Sequence, residues 1–148
     1  MIRLATAKDA IIIARNLRRE DALEAEALAG VSPSVLMKKS FSNSMESWVW
    51  VKDDEPGAIW GVAMDSIIGG TAQIWLVSTP VVDRYPIEFL RSSRKVLEVL
   101  QTRYPVLENW VDARYVKCIR WLEWLGFTMG EAEPFGVQGL PFHKFRLG

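Results

Sequence analysis

Apolar and polar positions are patterned most legibly between Gln73 and Phe127. The runs Gln73–Thr79 and Leu107–Val111 predict two strands, and a Pro-punctuated loop follows the first. Between them, Ile87, Leu90, Leu97 and Leu100 recur at helical spacing, predicting a helix over 86–103 with Arg91, Arg94 and Lys95 between the apolar positions. A second helix over Tyr115–Leu125 stops at Gly126. This is a β-α-β-α unit, and a right-handed crossover sets its two strands parallel in one sheet.

The preceding chain adds three helices and a meander. Ile2 and Leu4 mark a short strand, and Thr6 with Asp9 three residues on caps a helix over Ala7–Leu17. Glu20–Ala29 is rich in strong helix formers and ends at Gly30; Ser32-Pro33 starts a third helix, to about Ser42. Ser47–Lys52 alternates Trp48 and Trp50 against Val49 and Val51, so the two indoles share a strand face. A turn at Asp54–Gly57, a strand over Ala58–Met64 and a turn at Gly69-Gly70 lead into Thr71–Thr79. Phe127–Met129 and Phe142–Leu147 predict a closing hairpin around the Gly136–Gly139 loop.

The fold class is therefore α/β: a mixed sheet of six to seven strands flanked by helices, in one domain over residues 1–148. Half the residues (49%) are hydrophobic and 24% charged, a globular composition. Eighteen basic residues balance eighteen acidic ones, so no net field draws nucleic acid or an anionic membrane. A single cysteine excludes an intrachain disulfide. The longest aliphatic run, Ala10–Ala14, is far short of a bilayer span, and no signal peptide is evident. A cytoplasmic protein is expected.

The element order β-α-α-β-β-β-α-β-α-β-β, with Leu125-Gly126-Phe127 closing the last helix, resembles the GNAT superfamily of acyl-CoA N-acyltransferases. Residues 73–127 also resemble GNAT-like internal virion or assembly proteins of short-tailed phages, through Trp75-Leu-Val-Ser-Thr79, the Arg91-x-x-Arg-Lys95 helix, Trp110-Val111 and Cys118-Ile-Arg-Trp-Leu122. The first resemblance implies acetyl-CoA or another acyl-CoA lying along Leu76, Val77 and Ser78, with Arg84 and Arg91 near its phosphates and an amine as acceptor. It implies no metal. Glu46 is the candidate proton relay, and Tyr115, one to two turns before the family's leaving-group position, the candidate acid. The second resemblance implies a non-catalytic protein bound to phage structural or assembly partners, in the host cytoplasm or the virion, with pairing to a second copy left open.

Two departures bear on the choice. The family's phosphate turn is glycine-rich, whereas Ser78 to Phe89 holds no glycine, places Asp83 and Glu88 near the helix start, and loses a donor at Pro86. The family's leaving-group tyrosine falls on Leu122, and its asparagine on Ala113–Tyr115.

Other chemistry is sparse. Cys118 reads as a core thiol, and His143, between Phe142 and Phe145, as a strand histidine; usual Cys/His zinc sites are excluded by count. Asp65 is a further strand-end carboxylate in a position to act as a base. Trp48, Trp50, Trp60 and Trp75 read as one aromatic layer beneath the helices, with an exposed slot or patch as the alternative. Trp121 and Trp124 adjoin on one helix, which leaves one of them for an interface. Phosphate-loop, dinucleotide and serine-hydrolase motifs are absent from the sequence.

Overall fold

The computed structural model describes residues 1–64 and 71–148; the turn expected at Gly69-Gly70 and the carboxylate of Asp65 lie outside the described residues. A seven-stranded sheet runs β1-β2-β3-β4-β5-β7-β6. Its strands are β1 (Ile2–Leu4), β2 (Glu46–Lys52), β3 (Glu55–Met64), β4 (Thr71–Ser78), β5 (Val106–Asp112), β6 (Thr128–Phe135) and β7 (Leu140–Leu147). Among the described residues only β4 and β5 run parallel, joined by the crossover expected from the pattern. The helices are α1 (Ala7–Arg15), α2 (Arg19–Ala29), α3 (Pro33–Asn43), the single turn α4 (Val81–Arg84), α5 (Pro86–Gln101) and α6 (Val116–Trp124).

Local chemistry sets the boundaries. Thr6 and Asp9 form a complete capping box, and Arg3 grips the same carboxylate at 2.9 Å, holding it down at about 2. Ser32 caps α3 with Pro33 at its first position, and Gly126 takes φ 105° just beyond α6. The expected turn at Asp54–Gly57 moves upstream. Asp53 and Asp54 take left-handed φ values of 49° and 64°, making a tight hairpin. Pro56 and Gly57 join β3 instead, and the register shifts between Trp50 and Val51.

Two apolar layers sandwich the sheet. On one face Ala10, Ile13 and Met37 of α1 and α3 pack on Val49, Val51 and Ile59. On the other, Val96, Leu97 and Leu100 of α5 and Leu122 of α6 meet Trp60, Val62, Ile74, Leu107 and Phe145. Of the α5 positions expected on the core face, Leu97 and Leu100 are buried and Leu90 packs against the core, but at the first turn Phe89 is buried and Ile87 is 66% exposed; Ser93 is buried as well. Arg91, Arg94 and Lys95 face solvent.

The four meander tryptophans do not form one layer. Trp48, Trp50 and Trp60 face α5, whereas Trp75 packs on the α1/α3 side. The register explains the split: Leu76 opposes Trp60, so Trp75 falls opposite Gly61 on the other face. Its indole lies across Gly61, where an added Cβ would come within 2.1 Å of the ring, and its Nε1 donates to Ser44 Oγ at 2.7 Å. Gly61→Ala therefore displaces a half-buried indole and breaks that bond. The expected cost is roughly 2 kcal/mol in a urea melt, and an unchanged midpoint would refute the contact.

Candidate functional site

β4 and β5 pair only at Thr71–Gln73 with Val106–Glu108. Beyond that they diverge, and Asn109 replaces the next rung by donating its side-chain Nδ2 to Ile74 O at 2.7 Å while its Oδ1 accepts from Trp110 N–H at 2.8 Å. Past Asn109 the split widens into a cavity of about 390 Å3. Its walls include Asp21 and Glu24 of α2, Trp75–Ser78 of β4, Trp110 of β5, and Cys118 and Trp121 of α6. Phe135 stacks on Trp110 at 4.3 Å and also lines it.

The open edge of β4 is satisfied by α2. Ser78 N–H donates to Asp21 Oδ2 at 2.9 Å, Ser78 Oγ donates to the same oxygen at 2.7 Å, and Ser78 O accepts from Arg18 N–H at 2.9 Å. The Arg18 side chain is almost wholly buried, 5.1 Å above the Trp121 ring, and its Nε donates to Asp83 at 2.9 Å. Lys117 reaches the same carboxylate at 2.6 Å. Burial alone would raise Asp83, but the bonds from Lys117 and Arg18 outweigh it and hold its pKa below the usual range.

The acids of α2 behave oppositely. Asp21 and Glu24, three residues apart, share one helix face. By surface area they are half-buried, yet protein atoms ring both carboxylates. Desolvation pushes Asp21 to about 6 despite its bonds to Ser78, and pushes Glu24 to about 8 with Asp21 adding repulsion. The backbone N–H of Asp112 offsets part of the rise in Glu24, and Arg114 clamps the buried Asp112 carboxylate at 2.7 Å. Tyr115, at the start of α6, is raised to about 12, by burial first and the Asp112 charge second; its buried OH has no partner.

The candidate residues are therefore only partly brought together. Leu76, Val77 and Ser78 line the cavity. Arg84 and Arg91 share a separate groove at the start of α5 with Tyr85 and Lys95, Arg84 lying 3.7 Å from Glu55. Tyr115 feels the charges of Glu24 and Asp21. Glu46 stands elsewhere: Arg103 Nε at 2.9 Å, Trp48 Nε1 at 2.8 Å and Tyr104 OH at 3.2 Å hold it, and the Arg103 bonds lower its pKa. This carboxylate is a structural anchor for the end of α5, two strands away from the split. Cys118 lines the cavity, but burial pushes its thiol up, the reverse of an activated nucleophile. His143 Nδ1 lies 2.8 Å from Gly130 O on the β6–β7 hairpin. Among the described residues no group of three His, Cys, Asp or Glu side chains converges to hold a metal, and no helix is long and apolar enough to cross a membrane.

Asp21 and Glu24 were not legible as site residues. Arg19–Ala29 reads only as a good helix, and its acids as a solvated face. The available signal was its weak amphipathicity: alanine and glutamate fill positions where a core-facing helix carries larger apolar groups.

Acyl-CoA fits this arrangement poorly. The amide groups of Ser78 that would meet the pantetheine arm are spent on Asp21 and Arg18. In the turn that would cradle the pyrophosphate, Val82, Asp83 and Tyr85 N–H donate to Thr79, Pro80 and Val81 carbonyls, and Pro86 has no N–H. Asp83 places a carboxylate in that turn, between Arg18 and Lys117.

No protein-family model matches the chain, and no curated protein matches it. Solved structures do. Spermidine N-acetyltransferase from Vibrio cholerae, in complex with CoA and spermine, superposes with a TM-score of 0.71 at 13% identity, over 99% of this chain and 94% of that one. Ribosomal-protein-alanine N-acetyltransferase from Brucella melitensis gives 0.70 at 14%, over 99% and 98%. An acetyltransferase of the GNAT family from Streptococcus pneumoniae gives 0.61 at 14%, over 99% and 98%.

The raised acids make stability fall with alkalinity. Neutral Asp21 and Glu24 are favoured in the folded state, so their contribution is complete below about pH 4 and is lost as pH rises through about 6 and 8. Asp9, Asp83 and Glu46, all lowered, lose theirs as pH falls below about 4. Thermal melts should therefore peak near pH 5, with Glu24→Gln flattening the decline between about pH 5 and 8. An equal decline in the variant would remove Glu24 as its source. The sheet order, the parallel β4–β5 pair, the split between those strands and the structural likenesses together show that this chain has the GNAT fold.

Proposed function

We propose that the chain uses the GNAT fold as a protein-binding module of the virion or assembly kind found in short-tailed phages, and that it does not act as an acyl-CoA transferase. The carrying observation is that Arg18 and Asp21 occupy both backbone groups of Ser78, where an acyl-CoA arm would pair. The glycine-free turn, Asp83 between Arg18 and Lys117, and Leu122 in place of a tyrosine support the same reading. The partner face is the α5–α6 surface. There Trp124 is 46% exposed and the Arg94 guanidinium lies 3.8 Å over its ring, an aromatic–Arg pair of the kind that anchors interfaces. The partner is a phage structural protein, with a second copy of this chain as the competing occupant.

A second reading is acyl transfer to a cationic amine, favoured by the cavity acids. Asp21, near 6, is ionised at neutral pH and suited to take a proton from an ammonium group, while Glu24, near 8, stays neutral beside it, and the neutral Tyr115 phenol is a proton donor. The spermidine enzyme of the same fold acts on such an amine. This reading requires the start of α2 to leave Ser78.

Titration of the purified chain with acetyl-CoA decides between them. A ligand at a hundred times its Kd stabilises by about 2.7 kcal/mol, a rise on the order of 5–10 °C in Tm. The binding-module reading expects no rise at millimolar acetyl-CoA, and a saturable rise would overturn it in favour of transfer. In the first case, Trp124→Ala should weaken capture of the phage partner roughly 10-fold or more with Tm unchanged.

A further inference from the structure

α5 buries Phe89, Ser93, Val96, Leu97 and Leu100, whereas the apolar hold is slight on α3, which buries only Met37, and on α2, which buries only the small side chains of Ala25 and Ala27. Beneath it is the 390 Å3 cavity, which Ala25 and Leu28 of α2 line in part. Close packing therefore supplies little of its attachment, since a void gives its lining atoms no contacts.

Polar fasteners take that place. At the N-terminal end Arg18 N–H bonds Ser78 O, Asp21 accepts from Ser78, and the Arg18 side chain reaches Asp83. At the C-terminal end Leu28 O accepts from Val137 N–H, at the tip of the β6–β7 hairpin, at 3.1 Å. Each fastener can be exchanged for water at modest net cost, whereas an apolar seam cannot. The helix is also bounded by breaks: Asn16–Arg18 before it, and Gly30 in the left-handed region after it.

We infer that α2 is a lid over the split in the sheet, opening with Arg18 as a unit about residues 16–17 and 30–31 while both apolar layers stay intact. Opening releases the Ser78 N–H and C=O and exposes the aromatic walls of the cavity. The lid belongs to the free chain, so it stands whether the molecule binds a protein partner or transfers an acyl group.

Native-state hydrogen exchange tests it on the unmodified protein. The α2 amides from Leu23 to Ala29 should exchange roughly 100-fold faster than those of β3, β4 and the centre of α5, with a rate nearly independent of low urea. Exchange of α2 with the same protection and the same urea dependence as β4 would show that it opens only by global unfolding, and would overturn the lid. Asp83→Asn weakens one outer fastener and leaves the core untouched, so it should quicken α2 exchange several-fold without changing β3. An acceleration shared equally by β3 would also count against a local opening.

Discussion

A strand that loses its neighbour inside a protein leaves amide groups that must be satisfied by something else. Where β4 diverges from β5, that requirement falls first on Ile74 and then on Ser78, and the chain meets it twice with its own atoms. Asn109 supplies an amide donor to Ile74, and the start of α2 supplies a donor and an acceptor to Ser78. The placement of α2, the burial of Arg18 and the raised acids all follow from the second solution. To bring Asp21 to Ser78, the helix must carry Glu24 against Asp112 and draw Arg18 across Trp121.

The electrostatics divide accordingly. Asp83 sits between two cations and stays ionised, tying α4 to α2 and α6. Asp21 and Glu24 face a hollow lined largely by aromatic and aliphatic groups, with Arg18 already engaged elsewhere, so desolvation dominates. Asp83 and the two acids of α2 are thus shifted in opposite directions because of what encloses them.

Much of the architecture was legible in the sequence, because it is written in period and punctuation. Alternation placed β2, β4 and β5, helical spacing and caps placed α1, α3 and α5, and Gly126 marked the end of α6. The failures share a cause: they depend on relations between elements. Trp75 carries the same local pattern as Trp48, and only the pairing of Gly61 across from it sends its indole to the far face. Ile87 fits a helical stripe, yet at that first turn it is Phe89, against Trp50 and Trp121, that enters the core. Glu46 stood at a strand end as a base would, but Arg103, fifty-seven residues away, claims it. The acids of α2 were hidden most completely, since no local signal tells a solvated carboxylate from one folded over a void.

The Asn109 rung carries one more consequence. Parallel strands held by backbone ladders come apart rung by rung, so the depth of a split would ordinarily drift with temperature and with whatever enters it. Here a side-chain amide bolts the two strands together at the point of divergence, and its own carbonyl is braced by Trp110 N–H. The fork therefore has a fixed crotch: its length is set by the reach of one asparagine, and the hollow above it keeps a constant floor however far its roof moves.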